Sequence, residues 1–125
     1  MANPTHIKIL VVDDEPLLLS LLSEIVSEMG ASAVTADRAD NGLVYLEGHA
    51  QEIALLVTDV MMPGRLNGFD LAQIVADRWP ALPVVLTSGY SGTQHHTLAG
   101  NAVFIAKPWT YQQIEEVIRE RLPAA

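Results

Sequence analysis

The sequence predicts an α/β domain, a doubly wound five-stranded parallel sheet with helices on both faces. Three observations carry that prediction. The runs "HIKILVV", "IALLVTD" and "PVVLTS" are almost continuously apolar and rich in β-branched residues, as strands buried on both faces must be. Between such runs, apolar residues recur at helical spacing. The two patterns alternate along the chain, which is what parallel strands joined by crossover helices require.

Each element has its own signals. Residues 6–12 read as the first strand. Pro16 suits a first helical turn, and Leu18, Leu21, Leu22, Ile25 and Met29 follow at helical spacing until Gly30 supplies a stop. "SAVTA" (32–36) is a short strand. "DNGLVYLEGHA" (40–50) is a weak helix, because Gly42 and Gly48 lower its propensity. Residues 53–59 form the third strand, ending at Asp59. Pro63-Gly64 and Asn67-Gly68 mark residues 60–68 as loop. Asn67 can cap the helix "FDLAQIVADRW", which Pro80 ends. Residues 83–88 are the fourth strand and 102–106 the fifth, and the segment "GYSGTQHHTLAG" between them allows at most a short helix. The last helix has the strongest start: Thr110 and Gln113 make a capping box, and Trp109 can staple onto Ile114. Ile114, Val117, Ile118 and Leu122 form its stripe.

Composition narrows the function. Half of the 125 residues are hydrophobic, ample for a core, and the chain reads as one domain spanning 1–125. There is no cysteine, which removes disulfides and thiolate chemistry. No apolar run approaches the ~20 residues of a membrane span, and the first residues lack the pattern of a signal peptide. A cytoplasmic home fits. Fifteen acids against seven Lys/Arg give a net charge of −8, which opposes binding to nucleic acid or an anionic membrane.

The acids are not scattered. Asp13 and Asp14 end the first strand, Asp59 the third and Thr87-Ser88 the fourth, while Lys107 follows the fifth. Ligands of doubly wound folds bind beyond the carboxyl ends of the strands, so these residues share one rim. Carboxylates gathered there repel unless a cation joins them, and oxygen-only ligation favours Mg²⁺. Carboxylate, Mg²⁺, hydroxyl and ammonium together suit a phosphoryl group, whose charge must be neutralised during transfer. Asp59 is the natural nucleophile.

The segments "ILVVDDEP", "LLVTDVMMPG", "NGFDLA", "PVVLTSGYS" and "FIAKPW" resemble the receiver domain of bacterial two-component response regulators, of the chemotaxis-regulator type. The resemblance covers essentially the whole chain. It implies a flavodoxin-like sheet of order 2-1-3-4-5 and a single receiver domain without an output domain. It implies that Asp59 accepts phosphate from the phosphohistidine of a histidine kinase or histidine phosphotransfer protein. By the same resemblance Asp14 binds Mg²⁺ directly, Asp13 holds it through water, and the backbone carbonyl of Met61 is a further ligand. Lys107 would pair with the phosphate, and the Lys107–Pro108 peptide would be cis. The switch hydroxyl aligns with Ser88 rather than Thr87, since the small residue Gly89 follows it, and Phe104 is the matching switch aromatic. A protein partner would read the face made by the fourth helix, fifth strand and fifth helix. Such a domain catalyses only its own phosphorylation and dephosphorylation.

Three features depart from the common family pattern. The loop "MMPGRLNG" is one residue longer, which is similar to receivers attached to or paired with hybrid histidine kinases. The span from Ser88 to Lys107 is short, so the fourth helix is expected to be truncated or irregular. Phe104 lacks the hydroxyl of the frequent tyrosine.

Other readings compete. The acids at 13–15 could simply cap a helix and favour its dipole, but Asp59 and Lys107 give them a chemical context. Phe104 could be ordinary core. A Mg²⁺-dependent phosphohydrolase of the haloacid type would carry a second Asp two residues past the nucleophile, where this chain has Met61. A dinucleotide site would need a G-x-G-x-x-G after the first strand, which is absent. A degenerate receiver serving only as a scaffold fits poorly, because every expected site residue is present. His6, His49, His95 and His96 lack ligand spacing and read as surface residues.

Overall fold

The structure, a computed structural model, describes residues 7–89 and 100–122. Five strands form one parallel sheet: β1 (Lys8–Val12), β2 (Ser32–Ala36), β3 (Ile53–Asp59), β4 (Val84–Ser88) and β5 (Ala102–Ala106). Their spatial order is β2-β1-β3-β4-β5, as expected. Four helices are described: α1 (Pro16–Glu28), α2 (Ala39–His49), α3 (Gly68–Arg78) and α4 (Tyr111–Arg121), with a 3-10 turn at Ala50–Glu52. The helix expected between β4 and β5 falls on residues 90–99, outside the described residues, as do His6, His95 and His96.

Two apolar layers explain why the central strands read as continuous hydrophobic runs. Ile9, Val11, Leu55, Val57 and Val85 point to one face, where Leu22, Ile25 and Val26 of α1 and Ile114 and Ile118 of α4 cover them. Leu10, Val12, Leu56, Val84 and Leu86 point to the other, under Ala39 and Leu46 of α2 and Leu71 and Val75 of α3. Strand alternation therefore satisfies both faces at once. The Tyr111 hydroxyl donates to Glu28, tying α4 to α1.

The helix boundaries follow local chemistry. Asn67 and Asp70 form a reciprocal capping box: Asp70 N–H donates to Asn67 Oδ1 at 2.9 Å, and Asn67 N–H donates to Asp70 Oδ2 at 3.0 Å. Thr110 and Gln113 do the same for α4. Trp109 packs into the layer that contains Ile114. The weak helix α2 forms because burial of Ala39 and Leu46 offsets its poor propensity. Gly42 helps: a Cβ there would lie 3.0 Å from Val12 Cγ2, so glycine lets α2 close on β1.

The apolar residues of α1 are buried unequally. The buried stripe of α1 is Leu22, Ile25 and Val26, whereas Leu21 stays 40% exposed and Leu18 only half-buried. The sheet lies under Leu22, Ile25 and Val26. Leu18 and Leu21 sit on the flank, lining an open cleft with Gly89, Lys107, Pro108 and Trp109.

Candidate functional site

The strand ends deliver the predicted acids to one place. Asp13 follows β1, and its N–H donates to the Ala36 carbonyl at 3.1 Å, carrying the β1–β2 pairing one step past the strand. Asp59 ends β3 and pairs with Thr87 of β4. Asp13, Asp14 and Asp59 each offer a carboxylate oxygen within 4.8 Å of the others, the only such group among the described residues. Asp14 is exposed, but Asp13 is 1% and Asp59 8% exposed. Glu15, the third acid of the run, is not in the cluster. It occupies the N-cap position of α1, and its N–H donates to Asp13 Oδ1 at 2.9 Å.

Lys107 enters from the end of β5. Its Nζ stands 3.3 Å from Asp59 Oδ1 and 3.7 Å from Asp13 Oδ2. The backbone holds it there: Lys107 N–H donates to the Ser88 carbonyl at 3.0 Å, and the Lys107–Pro108 peptide is cis, as expected. One ammonium thus pairs with two of the three clustered carboxylates. Burial pushes the Asp59 carboxyl above its ordinary range, and Lys107 pulls it only part of the way back. Burial also raises Asp13; the Glu15 N–H bond opposes that rise and the charge on Asp59 adds to it.

This donor set fits Mg²⁺. All three ligands are hard oxygens. Asp13 Oδ2 is buried without a hydrogen-bond partner, an acceptor left for something else to satisfy. The three carboxylate oxygens all lie within 4.8 Å of one another, close enough for one cation to join them.

The other predicted residues surround this centre unequally. Ser88 is buried at the end of β4, opposite Ala106. Thr87 is buried beside it, and its hydroxyl has no hydrogen-bond partner. Phe104 pairs with Leu86, two residues before the end of β4, and packs against the α2–α3 layer rather than in the acid cluster. Met61 lies in the β3–α3 loop with an exposed side chain.

Two contributors were not singled out from sequence. Gly68 packs on the Asp59–Val60 peptide: a Cβ there would collide with the Asp59 carbonyl oxygen and lie 2.8 Å from Val60 Cα. Its own N–H donates to the Val60 carbonyl at 2.8 Å. The Asn67-Gly68 pair signals a turn, but not this close approach. Asp40 of α2 accepts hydrogen bonds from Arg65 N–H at 3.0 Å and Leu66 N–H at 2.9 Å. No local pattern signals that contact, which spans 25 and 26 residues.

Residues 9–119 match the profile of the response regulator receiver domain. The chain belongs to this family. The nitrogen assimilation regulatory protein NtrX of Azorhizobium caulinodans is 36% identical over 90% of this chain and 25% of its own length. The heme response regulator HssR of Staphylococcus saprophyticus is 30% identical over 84% of this chain and 46% of its own. The receiver domain described here therefore spans less than half the length of either relative. Among solved structures, a response regulator receiver domain protein of Clostridium thermocellum superposes with a TM-score of 0.82 at 25% identity, covering 92% of this chain and 93% of the other. The receiver domain of the hybrid histidine kinase CckA gives 0.78 at 27% identity, covering 93% and 99%. The response regulator TrrA of Thermotoga maritima, solved with Mg²⁺ and BeF, gives 0.82 at 25% identity, covering 93% and 99%. The receiver domain thus carries the fold read from its sequence. No helix among the described residues is long and apolar enough to cross a membrane.

Proposed function

We propose that this receiver domain, residues 1–125, is a phosphoacceptor switch in which Asp59 takes a phosphoryl group from a histidine kinase or histidine phosphotransfer protein. The observation that carries this reading is Lys107 Nζ, shared between Asp59 at 3.3 Å and Asp13 at 3.7 Å beside a third carboxylate. An Asp59 oxygen attacks the phosphorus of a phosphohistidine. The O–P bond forms as the P–N bond breaks, and the bonding pair leaves on the imidazole nitrogen. Lys107 keeps the buried Asp59 carboxylate accessible in its charged form and is in place to pair with the incoming phosphoryl oxygens. Asp14, Asp13, Asp59 and the Met61 carbonyl would hold Mg²⁺, Asp13 through water; bound there, the ion neutralises the carboxylates and the charge on the transferring group.

The product places ~1.5–2 negative charges on a nearly buried side chain. Ser88, at the adjacent strand end, then donates its hydroxyl to the phosphoryl group. Phe104 fills the space that Ser88 leaves. The change reaches a protein partner through β5, α4 and the segment between β4 and β5. The acidic domain acts in the cytoplasm, without nucleic acid or membrane, and catalyses only its own phosphorylation and dephosphorylation.

The test is incubation with acetyl phosphate and Mg²⁺, followed by intact-mass measurement. One phosphate should appear on the wild type and none on Asp59→Asn. A phosphate retained by Asp59→Asn overturns the assignment.

A further inference from the structure

The β3–α3 loop, residues 60–67, connects the acceptor Asp59 to the N-terminus of α3. Its base is tied down next to the site, where Gly68 N–H donates to the Val60 carbonyl at 2.8 Å. Its far side needs another anchor. Pro63 and Gly64 are exposed, and Gly64 takes φ +117°, open to glycine and strained for other residues. The anchor comes from a different element. The Asp40 carboxylate, in the first turn of α2, uses both oxygens: Oδ2 accepts from Arg65 N–H at 3.0 Å and Oδ1 from Leu66 N–H at 2.9 Å. The loop wraps this carboxylate so closely that a Cβ on Gly64 would lie 3.0 Å from Asp40 Oδ1. Glycine at 64 is therefore demanded twice, by the backbone and by the Asp40 contact.

We infer that Asp40 is a positioning residue, clamping the loop that carries Met61 so that the cation site beside Asp59 is preassembled. The inference rests on the phosphoacceptor reading. Asp40 is not in the acid cluster and acts only through the loop. The geometry explains how a loop longer than the common family form can still be held in one shape: two adjacent N–H groups are fixed by one carboxylate of a packed helix. The two bonds also favour the charged carboxylate, holding the Asp40 carboxyl below its ordinary range. The clamp is thus engaged throughout the neutral pH range.

The experiment compares wild type, Asp40→Ala, Asp40→Asn, Asp14→Ala and Asp77→Ala by Mg²⁺ titration, read from NMR shifts, and by amide hydrogen exchange. Asp40→Ala should lose protection at Arg65 and Leu66 and bind Mg²⁺ about tenfold more weakly, the lower range for a partner that orients a ligand. Asp40→Asn keeps the shape and one acceptor oxygen. It should lose protection at one of the two amides and weaken Mg²⁺ by a smaller factor, and it carries the test if Asp40→Ala does not fold. Asp77→Ala removes the same charge near the far end of α3 and should leave affinity unchanged. Wild-type affinity in both Asp40 variants, with Asp14→Ala impaired, overturns the clamp and leaves the phosphoacceptor site standing. If wild type binds no Mg²⁺, or Asp14→Ala binds it as well as wild type does, the site assignment falls and the role of Asp40 falls with it.

Discussion

Asp13→Asn should make the metal-free protein more stable than wild type at pH 7. Asp13 is 1% exposed, and its Oδ2 has no hydrogen-bond partner. Lys107 lies 3.7 Å away but stands closer to Asp59. Asparagine keeps the Oδ1 acceptor that Glu15 N–H uses and removes the charge. The sign follows from the raised Asp13 carboxyl, for which burial is the largest cause. A folded carboxyl with a raised pKa holds its proton more tightly than the unfolded chain does, so stability falls as pH rises from about 3.8 through the folded value. Wherever the folded carboxylate is charged that loss is present, and removing the charge recovers it.

The scale is the cost of a buried charge left without a hydrogen bond on one oxygen, about 1–3 kcal/mol or more, or roughly 3–5 °C in Tm per kcal/mol for a domain of this size. The assay is urea unfolding with EDTA at pH 7 and at pH 4, then with Mg²⁺. The advantage of Asp13→Asn should shrink at pH 4. Mg²⁺ should stabilise wild type by about 2.7 kcal/mol at a hundredfold excess over Kd and stabilise the variant much less. A variant less stable than wild type at pH 7 without metal, or one stabilised equally by Mg²⁺, refutes the reasoning.

Three further outcomes test other links. Gly68→Ala should destabilise the fold by ~3 kcal/mol or more through overpacking, because its Cβ meets the Asp59–Val60 peptide; thermal unfolding in EDTA measures it, and a neutral effect refutes the close approach. Thr110→Ala should cost about 1 kcal/mol, since its hydroxyl caps Gln113 N–H at 3.1 Å; urea unfolding should show this with phosphorylation intact. Ser88→Ala should still accept phosphate at Asp59, while beryllofluoride-induced NMR shifts across Ile114–Ile118 fade; a full wild-type shift pattern would remove Ser88 from the coupling.

Much of this domain was legible in its sequence because the physics involved is local. Continuous apolar runs announced strands buried on both faces, and Thr110-Gln113 announced the start of α4 within four residues. Placing Asp13, Asp14, Asp59 and Lys107 at strand ends was enough to predict one rim, since a doubly wound sheet brings those ends together. Other features depend on distances that no local pattern encodes. Leu18 and Leu21 share the helical spacing of Leu22 and Ile25, but only the docking angle of α1 decides which leucines face the sheet. Gly68 looks like a turn residue until α3 is seen resting on the Asp59–Val60 peptide. Asp40 looks like any acid in a first helical turn. Its two hydrogen bonds to Arg65 and Leu66 exist only because β1 and β3 lie side by side, bringing α2 next to the loop that leaves Asp59.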